Sequence, residues 1–103
     1  MAYAFIQEFK MSGDDRSTTN YDSVSERVGV AANPPDGLIV HTAGWDEANS
    51  VFRIFDVWES REQADRFWQE RLQPILDELM PQAENANPPD REGRYDLHDV
   101  SPR

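Results

Sequence analysis

The chain contains no cysteine. Disulfides, thiolate nucleophiles and cysteine-ligated metal or iron–sulfur centres are therefore excluded. Basic residues are scarce: ten Lys and Arg stand against twenty Asp and Glu, a formal net charge of −10. That field repels a phosphate backbone and an anionic bilayer, so neither nucleic acid nor a membrane is an expected partner. Acidity otherwise serves solubility. No apolar run approaches the roughly 18 residues of a spanning helix. The five glycines are scattered in turns, which leaves no Gly-rich phosphate loop, and no serine sits in a nucleophile elbow. His41 and His98 are the only histidines. They form no i, i+4 pair and no facial-triad spacing, so no metal and no cofactor is expected. The opening Met1-Ala2-Tyr3-Ala4-Phe5-Ile6-Gln7-Glu8 lacks a basic n-region and breaks its apolar run early, unlike a signal peptide. A cytoplasmic location is expected.

What is present is one domain, residues 1–103, with 38% hydrophobic residues, enough for a two-layer fold. A domain this small buries a limited core, and a partner would help it. Tyr3 to Lys10 alternates and reads as a strand, with Tyr3, Phe5, Gln7 and Phe9 on one side. Ser12-Gly13-Asp14-Asp15 is turn chemistry. Tyr21, Val24 and Val28 recur at helical spacing between about Thr19 and Val30, with Thr18 or Thr19 as N-cap and Gly29 near the end. Asn33-Pro34-Pro35-Asp36-Gly37 breaks the chain. Leu38 to Gly44 and Val51 to Trp58 read as strands joined by a polar hairpin loop, and so paired antiparallel. Ser60 caps a second helix from Arg61 to about Met80, with Gln63 placed for a capping box. Pro74 predicts a kink within it, and Pro81 its end. Ala83 to Glu92 is a polar, Pro-rich loop. Arg94 to Val100 alternates again and reads as a fourth strand.

The order β-α-β-β-α-β, with right-handed crossovers, gives an α+β ferredoxin-like fold: one four-stranded antiparallel sheet with both helices on one face. The other face is then uncovered. A second copy laid sheet against sheet would cover it, so a homodimer through the sheet face is expected.

The junction Asp56-Val57-Trp58-Glu59-Ser60 and the strand Gly37-Leu38-Ile39-Val40-His41, set in this order, resemble the dimeric α/β-barrel superfamily. That group holds cofactor-independent antibiotic-biosynthesis monooxygenases, small cyclases and an actinobacterial-type branch whose members carry no assigned role. The resemblance covers nearly the whole chain in element order. It implies two protomers closing a dimeric α/β barrel. It also implies an aromatic at the position of Trp58, often facing a pocket between sheet and helices, and strand histidines that act as acid–base groups in some cyclases. Haem-degrading relatives use a histidine on the second helix. The helix from Arg61 to Met80 has none, which argues against haem.

Alternation places Asp56 beside Ile54 and Trp58 on a half-buried face, where a carboxylate must find a partner or shift its pKa upward. It is either a general base or a structural partner of an arginine, a histidine or the backbone. The unperturbed imidazole has a pKa near neutrality, so His41 and His98 are proton shuttles or satisfied core residues. They fall on strands at opposite edges of the sheet. Catalytic candidates are thus His41, Asp56 and His98. Trp58, Phe67, Trp68, Phe5 and Tyr3 line a pocket for a small apolar or aromatic ligand, or simply fill a core. Trp45 and Tyr21 are expected near the surface. The expected function is a cofactor-independent small-molecule enzyme, monooxygenase- or cyclase-like, of secondary metabolism. The alternatives are a non-catalytic ligand-binding or structural homodimer and, third, an interaction protein using the acidic surface. Whether Trp58, Phe67 and Trp68 leave an open pocket separates the first two.

Overall fold

The computed structural model describes residues 1–11, 19–79 and 89–102. The turn expected at Ser12–Asp15, the N-cap candidate Thr18, the stop at Pro81 and most of the loop from Ala83 lie outside them. The elements are β1 (Tyr3–Lys10), α1 (Thr19–Val28), β2 (Leu38–Asp46), a 3₁₀ turn (Glu47–Asn49), β3 (Val51–Trp58), α2 (Arg61–Phe67), a π-helical turn (Trp68–Leu72), α3 (Gln73–Leu79) and β4 (Arg91–Asp96). The strands form one antiparallel sheet in the order β2-β3-β1-β4. This is the ferredoxin-like α+β architecture, with β2 and β4 at opposite edges.

Register fixes which side chains share a face, because a strand alternates with period two. Tyr3 pairs with Trp58, Phe5 with Asp56, Gln7 with Ile54 and Phe9 with Phe52. On β2, His41 lies opposite Asp56 and Trp45 opposite Phe52, after a bulge between Leu38 and Val40. The helices cover this face. Phe67 packs on Trp58 with ring centroids 5.3 Å apart, Trp68 meets Phe5 edge-on at 5.9 Å, and Tyr21 meets Phe52 edge-on at 5.5 Å. Ala4, Tyr3, Phe5, Val28, Val51, Val57 and Trp58 are buried.

The turn before α2 is set by local chemistry. The Ser60 oxygen accepts the Gln63 N–H at 3.3 Å, and its hydroxyl donates to the Gln63 side chain at 2.9 Å. The reciprocal half of the capping box therefore runs side chain to side chain. Gly37 stands against this cap with φ +90°, and a Cβ there would lie 2.4 Å from Gln63 Cδ. The Glu59 N–H donates to the Gly37 carbonyl at 2.7 Å. Only glycine fits both demands. The expected kink at Pro74 is the π-helical turn that precedes it, where the Gln73 N–H reaches back to Trp68. Arg71, expected on the buried stripe, donates to the Val28 carbonyl at 2.7 Å and so satisfies the end of α1. Gly29 follows at φ +66°.

Two boundaries differ from the sequence reading. β2 runs on to Asp46, so Trp45 is a strand residue, 48% exposed. β4 is Arg91–Asp96, three residues earlier than Arg94 and four short of Val100. Its Gly93 and its largely exposed side chains give no apolar alternation to read.

The face away from the helices mixes apolar and charged groups. Val40 and Tyr95 are 43% and 47% exposed, and Ile6 and Phe55 are half-buried. Beside them a row of ion pairs crosses all four strands. Arg53 donates to Asp46 at 2.9 Å and to Glu8 at 2.5 Å, and Arg91 donates to the other Glu8 oxygen at 3.0 Å. The Arg53 hydrogen bond, helped by Arg91 and opposed by burial, holds the Glu8 carboxyl below its ordinary value.

Candidate functional site

Antiparallel register puts His41 on β2 directly opposite Asp56 on β3, both facing the helices. Asp56 Oδ1 lies 2.5 Å from His41 Nδ1, and the Tyr21 hydroxyl of α1 lies 2.7 Å from His41 Nε2. The Asp56 side chain is 11% exposed and that of His41 28%. A carboxylate oxygen accepts, so Nδ1 carries a hydrogen. With neutral imidazole, Nε2 accepts the Tyr21 hydroxyl; with imidazolium, Nε2 donates to it. The result is a chain Asp56–His41–Tyr21 along which a proton can pass. Tyr21 also stacks against His41, rings 8° from parallel with centroids 6.2 Å apart. Phe52 and, beyond it, Trp45 at 5.6 Å continue an aromatic flank.

The hydrogen bond from Asp56, together with its charge, raises the His41 pKa from 6.5 against the opposing effect of burial. Desolvation raises the Tyr21 phenol above its ordinary value, aided by the charges of Asp56 and Asp22 and opposed by a hydrogen bond from Ser25. A histidine with a raised folded pKa adds stability that is full below the unfolded pKa of about 6.5. That stability is lost as pH rises through the folded value. His41→Gln is therefore expected to lower Tm by several degrees near pH 6, about 1 kcal/mol, and by less near pH 9. Thermal melts of both proteins across that range check it; a difference that is flat or grows with pH contradicts the pairing.

Of the three acid–base candidates, His41 and Asp56 are brought together. His98 is exposed in a bend after β4, at the far edge of the sheet, and takes no part in this cluster. Among the ring candidates, Trp58 is 2% exposed and pairs with Phe67, while Phe5 pairs with Trp68, whose indole N–H donates to Gln73 at 3.0 Å. Tyr3 is 3% exposed, and its hydroxyl has no hydrogen-bond partner among the described residues. Arg94 lies over the Phe5 ring, 4.5 Å from its centroid. Around Trp58 the layer is filled by rings. Near Tyr21, Ile54 and Phe52 remain half-buried and Ala43 exposed. Tyr21 is the member of the cluster that sequence reasoning left outside the site. Its signal was a polar-tipped ring leading the apolar stripe of α1. Among the described residues no group of three His, Asp or Glu could hold a metal ion, and no helix is long and apolar enough to cross a membrane.

The fold is that of antibiotic-biosynthesis-monooxygenase-like ferredoxin-fold proteins. Rv0793 from Mycobacterium tuberculosis superposes with a TM-score of 0.65 at 13% identity, over 98% of this chain and 99% of that one. SnoaB from Streptomyces nogalater, a cofactor-independent oxygenase, gives 0.62 at 17% identity, over 99% and 98%. A candidate antibiotic biosynthesis monooxygenase from Deinococcus radiodurans gives 0.63 at 14%, over 97% and 95%. No protein-family profile and no curated protein matches the sequence. At these identities the likeness establishes the fold.

Proposed function

We propose that this chain is a cofactor-independent enzyme of small-molecule metabolism, working by acid–base chemistry on an apolar or aromatic substrate held between sheet and helices. The carrying observation is the 2.5 Å contact between His41 Nδ1 and Asp56 on the helix-covered face. An Asp–His pair orients the ring, fixes its tautomer and stabilises the imidazolium that forms when it takes a proton. Phe5, the register partner of Asp56, and Trp68, which meets it edge-on, form one wall, with Trp58, Phe67 and Tyr3 as the further lining. The reaction is removal of a proton from an acidic C–H or O–H flanked by a carbonyl and an aromatic ring. The resulting anion either closes a ring or, in the oxygenase form, takes up dioxygen: a methylene and O₂ give a ketone and water. SnoaB, with the same fold, is a cofactor-independent oxygenase, which favours the second outcome. The setting is the cytoplasm.

The test is oxygen uptake and product formation on a panel of anthrones and related aromatic ketones. Turnover of at least one is expected, with a fall of about 10²- to 10⁴-fold in His41→Gln. Binding without turnover across the panel would leave the non-catalytic dimer as the better reading, which the filled layer around Trp58 favours.

The second half of the proposal is pairing with another copy through the open sheet face. Val40 and Tyr95 stay exposed there, with Phe55 and Ile6 beside them. The charges in the row across that face balance, two carboxylates to two guanidiniums. On a chain of net charge −10, it is a face where two copies approach without strong repulsion.

A further inference from the structure

We propose that Arg71 is a positioning residue of this site: from the π-helical turn it fixes where α1 stands, and so holds the Tyr21 hydroxyl on His41. This rests on the reading of Asp56, His41 and Tyr21 as one cluster given above. Tyr21 is the member of that cluster that the sheet does not carry. His41 and Asp56 are register partners on neighbouring strands, so the ladder sets their separation. Tyr21 has no such ladder. Its hydroxyl stays 2.7 Å from His41 Nε2 only while α1 keeps its place.

The far end of α1 is held by Arg71. Its guanidinium donates to the Val28 carbonyl at 2.7 Å, and Val28 is 7% exposed. Carbonyls of a last turn lie along the helix axis and have no partner within the helix. A donor seated on one resists sliding of α1 along its axis. The charge strengthens this bond, since it meets the negative end of the helix dipole. Buried Val28 resists rotation instead. It follows Tyr21 by about two turns, and so lies on nearly the same side of the helix. A phenol oxygen stands roughly 8 Å from its helix axis, so a rotation of about 20° would carry it about 3 Å and break the bond. Arg27 adds an outer tie, to Glu78 of α3 at 2.8 Å, but both partners are exposed and the tie is weak.

Two contacts aim Arg71. Its guanidinium carbon lies 5.4 Å from the centroid of the Phe67 ring, and Phe67 is itself packed on Trp58. The π-helical turn Trp68–Leu72 admits one residue more than an α-turn. Trp68 at its start meets Phe5 of the sheet, while Arg71 within it meets α1. The widened turn thus serves two surfaces at once.

Spectra of ¹⁵N-labelled histidine rings test this without turnover. His41 and His98 give the only two ring signatures, and His98, outside the cluster, is the internal reference. Tyr21→Phe first gives the His41 Nε2 resonance with the phenol bond gone. Arg71→Met keeps an unbranched stem against Phe67 and removes the donor. It is expected to move the His41 Nε2 resonance most of the way to the Tyr21→Phe value. Arg71→Lys restores a charged donor and is expected to bring the resonance back near that of the unmodified protein. A resonance unmoved in Arg71→Met, whatever the fall in Tm, shows a stabilising contact only; it overturns the positioning role and leaves the cluster standing. Equal displacement in Arg71→Lys and Arg71→Met overturns the role of the donated bond, and with it the proposal. A resonance unmoved in Tyr21→Phe overturns both readings, because no Tyr21–His41 bond is then there to position. Should Arg71→Met fail to fold, Arg71→Gln, shorter and neutral, takes its place with the same two outcomes.

Discussion

Trp58→Ala is expected to lower the unfolding free energy by about 3–5 kcal/mol. Trp58 is 2% exposed, closes β3 and packs on Phe67 with centroids 5.3 Å apart. Tyr3 is its partner across β1 and Leu38 across β2. Removing the indole leaves a void bounded by β strands on one side and α2 on the other. Neither can collapse into it, because the ladder fixes the strands and the Ser60 cap with Gly37 fixes the entry of α2. The residual cavity thus adds to the lost transfer energy. Urea denaturation with an unchanged m-value measures it, and a loss below about 1 kcal/mol would show the ring is not core.

Phe55→Glu is expected to turn a two-chain particle into single chains, with the dissociation constant rising about 100-fold or more. Phe55 sits in the middle of the open face, between Ile6 of β1 and Thr42 of β2. In the separate chain it is already half-exposed, so a carboxylate there is solvated and the fold survives. In a sheet-to-sheet pair the same carboxylate is buried against apolar side chains without a cation assigned to it. Sedimentation velocity reads the result directly. The unmodified protein should run at twice the mass of one chain and the variant at the mass of one. An unmodified protein that stays single at high concentration contradicts the pairing, and a variant that stays paired places the contact elsewhere.

The parts of the fold that were legible in the sequence are those where one periodicity acts alone. β3 alternates cleanly, Ser60 caps, and two prolines break the segment before Gly37, so β2, β3 and α2 fall close to where expected. The facing of Phe52, Ile54, Asp56 and Trp58 toward one side followed from alternation alone. β4 was not legible because an exposed edge strand with the sequence Arg91-Glu92-Gly93-Arg94-Tyr95-Asp96 has no buried face to impose a pattern. The apolar residues that suggest a later strand, Leu97 and Val100, lie after it. At the site, Asp56 called for a partner because its neighbours on that face are apolar, and His41 meets that need. Tyr21 joins them across 20 residues of chain. No local spacing encodes such a contact; it exists only once α1 is laid over β2.

The charged row on the open face has a further property. Read from one edge of the sheet to the other, Asp46, Arg53, Glu8 and Arg91 run minus, plus, minus, plus. That sequence changes sign when reversed. A two-fold axis through its middle brings each charge over its opposite: Asp46 over an Arg91, Arg53 over a Glu8. A stacking without reversal sets like over like along the whole row. The face is thereby its own complement about a two-fold axis that crosses the row and its own antagonist about one that runs along it, which selects one of the two isologous pairings over the other.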